Sequence, residues 1–306
     1  VLCFFLWYLK KMQILLKNLF IVLTFLLFSF VVSADQSNFN QWLGEFKITA
    51  KKNGISEKTI NEVLTDVVYI DKVIEYDNRQ PEFFEKTDIY ISKRASKRAV
   101  KKALIILEKN RSIFEKIEKE FKVDKEILLA LWSTETNFGN NLGKMDIVSS
   151  LATLSFDKRR SKFFTSELLT LLKLVDKKII KKETLFGSWA GALGNFQFMP
   201  SSISNHAIDY DKNGYIDLKG SKPDAIASAA NYISKIGWKK NSPCFDRVIF
   251  DKDVNKSFFN HSARNIKNKK KISVWKKIGI KFNKKTEDEN NLIGALVLPD
   301  GDISSP

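Results

Sequence analysis

Ile127, Leu128, Leu131 and Trp132 recur at α-helical spacing, and Glu135 falls on the same face, four residues after Leu131. This pattern constrains the chain more than any other. A carboxylate in an apolar stripe is costly to bury unless it is neutral or well partnered. Glu135 also stands near its helix C-terminus, where the negative end of the dipole opposes ionisation. Both effects favour the protonated acid, the state a general acid needs at neutral pH. The alternative on spacing alone is a frayed last turn ended by Gly139, with Glu135 solvated.

The rest of the chain reads mainly as helix. Residues 38–53 and 56–67 are short amphipathic segments, and Ser56 suits a helix start. Pro81 biases Gln80 away from helix and marks a break. Residues 86–109 read as one lysine-rich helix, 112–121 as another, and Asp124 is placed to cap the helix that carries Glu135. Residues 161–182 carry an apolar face of Phe163, Phe164, Leu168, Leu171, Leu172 and Val175. Residues 201–207 and 224–236 also read as helices. Past Lys239 the pattern becomes short and strand-like at Val248–Phe250 and Leu296–Leu298. The domain reading is a leader over 1–34, a helical core over 35–242 and a small mixed α/β lobe over 243–306.

Lys10, Lys11 and Lys17 precede an apolar run from Leu19 to Val32, and Val32-Ser33-Ala34 supplies small residues for cleavage. This is the pattern of a secretory signal peptide, with an uncleaved anchor as the alternative. Met12 is the expected start, with residues 1–11 upstream of it. Cys3 lies in the leader, so Cys244 stands alone in the mature chain and no intrachain disulfide or thiolate cluster can form. No Cys follows the leader's small residues, so no lipid anchor is indicated. The expected compartment is the periplasm.

Removing the three leader lysines lowers the formal charge from +16 to +13. A balance this basic points to an anionic partner, and in an exported protein to cell-wall polymer or an anionic membrane surface. The alternative is a general lysine bias on solvated faces. Nucleic acid is not expected, because no recognition motif or aromatic-basic stripe is present. The cluster Lys269-Lys270-Lys271, inside residues 265–277, reads as a mobile basic loop.

Four stretches occur in a specific order: Arg79-Gln80-Pro81-Glu82-Phe83; Trp132 through Glu135 to Gly139; Leu151 through Asp157 to Arg160; and Gly187-Ser188-Trp189-Ala190-Gly191 through Gly194, Gln197 and Pro200 to Ser202. Together they resemble the B-type lytic murein transglycosylases, over roughly residues 60–300. The resemblance implies a lysozyme-like α fold and cleavage of the MurNAc–GlcNAc bond of peptidoglycan, with release of a 1,6-anhydro ring. The family's single catalytic glutamate falls on Glu135, acting as acid and then base. No cofactor is needed for that chemistry. The nearest further carboxylates, Asp146 and Asp157, have no spacing that argues a role.

The resemblance also carries Ser188 as a hydrogen-bonding partner that orients the carboxyl, and Gln197, Tyr232 and Tyr90 as glycan contacts. Arg159 and Arg160 match a family arginine pair near the groove, suited to stem-peptide carboxylates; as a pair capping a helix they would be structural. Gly187, Gly191 and Gly194 read either as room for a bulky glycan or as tight-turn residues. The implied partner is a peptidoglycan glycan strand, met by a monomer.

Asp209, Asp211, Asn213 and Tyr215, with Gly214 at the turn, read as the first part of an EF-hand loop. The twelfth position is Gly220, not a bidentate Glu, and in the related family the last carboxylate comes from the next helix, where Asp224 stands. The expected ion is a structural calcium; the alternative is a metal-free polar turn. The family's further C-terminal segment does not appear before Pro306, which reads as an incomplete chain end. Two other readings remain: a non-catalytic wall-binding scaffold and a lysozyme-type hydrolase.

Overall fold

A computed structural model describes residues 36–79, 86–250, 254–261, 266–282 and 292–298. The leader, the motif segment Gln80–Phe83 and the chain end beyond Leu298 lie outside the described residues. Residues 36–52 form α1, followed by α2 (Glu57–Leu64), α3 (Asp71–Asn78), α4 (Thr87–Arg94), α5 (Lys97–Lys109), α6 (Arg111–Phe121), α7 (Lys125–Thr136), α8 (Ile147–Phe156), α9 (Ser161–Asp176), α10 (Pro200–His206), α11 (Lys222–Lys235) and α12 (Ile272–Lys277). Among the described residues no helix is long and apolar enough to cross a membrane. The expectation of a mainly α protein holds.

The chain packs as two compact units, each discontinuous in sequence. Of the described residues, one unit comprises 36–79 and 134–232, and the other 86–133 and those from 233 onward. The sequence reading drew one boundary near residue 243.

The first unit is built around α8, whose residues Ile147 to Ser155 are all buried. A helix covered on every side, with only small polar residues among its apolar ones, is a core helix. Leu168, Leu171 and Leu172 of α9 are buried in the same unit. Phe39, Trp42, Tyr69 and Phe156 form an aromatic cluster with centroids 5.6–6.1 Å apart. The small polar residues on α8 serve its neighbours: Ser149 Oγ accepts from Val68 N–H (3.2 Å) and Thr153 Oγ1 from Ile70 N–H (3.1 Å). Ser56 caps α2, accepting from Thr59 N–H, and both hydroxyls donate to Asp176 at the end of α9.

In the second unit, α6 buries Phe114 and Ile117. The lysine-rich stretch 86–109 is two helices, broken at Ala95 because Ser96 caps a new start with its side chain on Ala99 N–H. Further along the chain are two antiparallel strand pairs, β3 (Val248–Phe250) with β5 (Ile280–Phe282) and β4 (Lys270–Lys271) with β6 (Ile293–Gly294); in the first unit β1 (Met145–Asp146) pairs with β2 (Phe186–Gly187). Val254, Phe259, Trp275, Ile280 and Leu296 form the small core of this lobe. The stretch expected to be a mobile basic loop is therefore structured: it contains β4 and α12, and Trp275, only 2% exposed, donates Nε1–H to Gly294 O (2.9 Å).

Candidate active site

The helix carrying Glu135 stops abruptly. Asn137, Phe138 and Gly139 all have positive φ (50°, 60° and 80°). Two consecutive non-glycine residues in the left-handed region are unusual and persist only where the surroundings hold them. Thr136 does the holding. It is fully buried, its hydroxyl donates to Asn195 O (2.7 Å) and it accepts from Gly139 N–H (3.0 Å). Asn141 N–H then bonds Thr136 O (2.9 Å), closing the turn.

Glu135 itself is exposed. The expectation that it shares a buried apolar stripe is thereby corrected. It lies in the last turn, and the residue drawn into the protein there is Thr136, one position on.

The turn after α7 and the glycine-rich loop from Gly187 to Gln197 pack on each other. Gly143 sits so tightly against this loop that an added Cβ would lie 2.1 Å from Gly187 O and 2.7 Å from Ser188 N. Gln197 Nε2–H donates to Gly194 O (2.9 Å) and reaches Leu142 O at 3.4 Å. Asn195 Nδ2–H donates to both Leu218 O and Lys219 O (2.9 and 3.0 Å). The glycines face protein, which favours the tight-turn reading: Gly187 meets Ala192 O, Gly191 meets Leu151 and Gly194 meets Leu218.

Ser188 is half-buried, and its Oγ accepts from Ala192 N–H (2.9 Å), which leaves its hydrogen to donate. Gln197, with φ 52°, is also half-buried, and its amide oxygen remains to accept. Tyr232 is flanked by Phe198 and His206, with ring centroids at 5.8 and 5.0 Å. Tyr90 belongs to the second unit, where the Arg94 guanidinium lies 4.2 Å over its ring.

Arg159 and Arg160 both engage a carboxylate of the protein itself. Both converge on Asp77, which is 3% exposed: Arg159 Nε–H donates to Oδ2 (2.8 Å) and Arg160 donates to Oδ1. A buried carboxylate demands such partners. Arg160 also lies 4.8 Å over the Phe164 ring. These contacts give the pair a part in the frame of α3. Asp146 and Asp157 are likewise in local service: Asp146 caps α8 through Val148 and Ser149 N–H, and Asp157 accepts from Arg159 N–H (3.0 Å). Asp124 does not cap α7 with its carboxylate, which instead accepts from Trp238 Nε1–H (2.8 Å) and Asn241 N–H (3.1 Å).

Carboxylate oxygens of Asp209 and Asp211 in the loop after α10 and of Asp224 on the first turn of α11 lie within 4.8 Å of one another. Asp224 is 0% exposed and accepts from the backbone N–H of Tyr210 (2.8 Å), Asp211 (3.2 Å) and Asp217 (3.0 Å). Asp209 closes the turn on Asn213 and Gly214 N–H (3.0 and 2.8 Å). Asn213 and the Tyr215 carbonyl are on the same loop, and Lys181 Nζ lies 3.4 Å over the Tyr215 ring. Three clustered carboxylates, one of them wholly buried, form the hard oxygen set that suits a calcium ion.

The transglycosylase SLT domain family matches residues 38–305. Membrane-bound lytic murein transglycosylase B of Escherichia coli K12 is 30% identical over 217 residues, which cover 68% of this chain and 59% of that protein. The chain therefore aligns with less than two thirds of that relative's length. Among solved structures, SltB3 of Pseudomonas aeruginosa in complex with NAG-anhNAM-pentapeptide has a TM-score of 0.79 at 28% identity, covering 86% of this chain and 70% of that one. The E. coli lytic transglycosylase Slt35 in complex with calcium has a TM-score of 0.69 at 27% identity, covering 86% and 80%. The lysozyme-like α fold expected from the motifs stands with these neighbours.

Proposed function

The chain belongs to the transglycosylase SLT domain family, and from that premise we propose that it cleaves the MurNAc–GlcNAc bond of peptidoglycan without water, leaving a 1,6-anhydro end. The observation that carries this reading is the junction at the end of α7, where buried Thr136 ties the turn after Glu135 to the Asn195 loop. The carboxyl is exposed and its neighbours are rigid, which is the arrangement a glycan can be laid against.

Glu135 gives its proton to the glycosidic oxygen as the bond from that oxygen to C1 breaks. The carboxylate then takes the proton of the C6 hydroxyl as O6 bonds to C1. One carboxyl group returns to its starting state and no water is consumed. The substrate's N-acetyl group stabilises the positive centre, as in glycosidases that need no enzyme nucleophile. A glycan seated over Glu135 removes its water and so favours the neutral acid. Ser188 donates its hydroxyl hydrogen to orient the carboxyl, and Gln197 offers its amide oxygen to an N-acetyl sugar. Tyr232 and Tyr90 serve as glycan-contacting rings on the strength of the family resemblance.

A calcium ion held by Asp209, Asp211, Asn213, the Tyr215 carbonyl and Asp224 would neutralise the clustered carboxylates and stiffen the loop, with no part in bond breaking. The relative solved with calcium supports this. The leader pattern supports export to the periplasm, and the enzyme acts there as a monomer on glycan strands.

The test is digestion of purified sacculi followed by mass spectrometry. Soluble fragments lighter by one water than hydrolysis products are expected, and Glu135→Gln should release none. Reducing-end fragments alone would identify a hydrolase. Sacculus binding without turnover, indifferent to Glu135→Gln, would identify a scaffold.

A further inference from the structure

Ser188 begins a tight turn that carries a tryptophan at its tip. Ser188 N–H donates to Ala192 O (3.0 Å), Gly191 N–H to Ser188 O (3.1 Å) and Ala192 N–H to Ser188 Oγ (2.9 Å), so the backbone around Trp189 is fixed at both ends. Trp189 remains half-buried, and its ring meets that of Tyr76 with centroids 6.3 Å apart and planes inclined at 51°. Tyr76 is 38% exposed, and Lys72 Nζ lies 5.7 Å from its ring. Tyr76 stands on the last turn of α3, one residue before Asp77, the carboxylate gripped by Arg159 and Arg160.

Tyr76 is exposed and Trp189 half-buried, so part of each ring faces solvent, and one of their supports is held by a buried carboxylate with two guanidinium groups. Only the Asp77 carboxylate is buried, and the two partly exposed guanidinium groups that grip it fix the position of that turn. Inclined aromatic faces held in place match the apolar C–H faces of a pyranose, whose hydroxyl and N-acetyl groups stay at the wet edge.

We propose that Tyr76 and Trp189 form a carbohydrate-stacking subsite beside Ser188 that takes an N-acetylated sugar ring of the glycan. Arg159, Arg160 and Asp77 are positioning residues for it. The inference rests on the glycan-cleaving reading above and extends it to residues that reading does not use.

The test is calorimetric titration of the full chain with an N-acetylglucosamine tetrasaccharide, which has no peptide stem. Tyr76→Ala and Tyr76→Leu should each weaken binding about three- to tenfold, the scale of one aromatic contact. Tyr76→Phe, which keeps the ring, should stay within about twofold. Unfolding midpoints of the variants, measured alongside, should match the parent. Tyr76→Ala binding as tightly as the parent would overturn the subsite and leave the enzymatic reading standing. A parent chain that neither binds the tetrasaccharide nor solubilises sacculi would overturn both.

Discussion

Thr136 Oγ1 donates to the backbone carbonyl of Asn195 at 2.7 Å, across 59 residues of sequence, and so bolts the residue after Glu135 to the glycine-rich loop. The same hydroxyl accepts from Gly139 and holds three left-handed residues in place. Asn195 in turn reaches Leu218 and Lys219 at the edge of the acidic loop. One small side chain thus links the proposed acid, the loop that bears Ser188 and Gln197, and the metal-type loop.

Thr136→Val removes both bonds from a buried position. It should lower stability by about 1–3 kcal/mol, the usual effect of stranding buried polar partners, read by urea unfolding. Turnover should fall about tenfold or more because a displacement near 1 Å at a reacting group is that damaging. Thr136→Ser keeps the hydroxyl and should stay close to the parent in both. A Val variant as stable and active as the Ser variant would contradict the link.

Asp77→Ala would leave Arg159 and Arg160, both partly exposed, facing each other without their shared carboxylate. The expected loss is about 1–3 kcal/mol in urea unfolding, less than for a fully buried pair because both guanidinium groups keep contact with water. Asp77→Asn, which keeps the shape and one acceptor, should lose less. An alanine variant as stable as the parent would show that the cluster does not frame α3.

Calcium should raise the unfolding midpoint, by about 2.7 kcal/mol of added stability when the ion is at a hundredfold its dissociation constant. A chelator should reverse the gain, and Asp224→Asn should abolish it. Cleavage measured far below the midpoint should be the same with ion or chelator. Absence of any thermal shift would favour the metal-free turn.

Acid sensitivity should trace in part to Asp176. Hydrogen bonds from the Ser56 and Thr59 hydroxyls and from Ser56 N–H hold its carboxyl below the ordinary value of 3.8. A depressed carboxylate stabilises the fold at pH above the ordinary value, and that contribution is lost as pH falls below 3.8 through the lower folded value. Asp176→Asn should therefore destabilise the chain at neutral pH and flatten its stability profile below that value. Unfolding free energies measured across pH check this, and parallel profiles for parent and variant would contradict it.

Much of the fold is legible from residue spacing. The cap at Ser56, the helices that start at Ser161 and Lys222 and the acidic loop each rest on local rules that tertiary packing does not override. The exposure of Glu135 is not legible, because periodicity shows which residues share a face and not which turn of that face is covered. Asp77 carried a readable signal: it lies four residues after buried Val73 on α3, so a carboxylate on the inner face needed partners. The Arg159–Arg160 pair was visible but its partner lay 82 residues away, beyond any local pattern. In the C-terminal lobe the lysine run masked Ile272, Trp275 and Ile278, whose three-residue spacing marks the short helix that plugs the core. The Tyr76–Trp189 pair also joins distant segments and is visible only in three dimensions.

The central claim is that Glu135 acts twice and the substrate's own C6 hydroxyl takes the place of water. Digesting sacculi in water enriched in heavy oxygen tests it most directly, with fragments weighed by mass spectrometry. The account predicts muropeptides with anhydro ends and no heavy oxygen at the cleaved carbon, and none released by Glu135→Gln. Heavy oxygen at that carbon, or undiminished release by the variant, would contradict it.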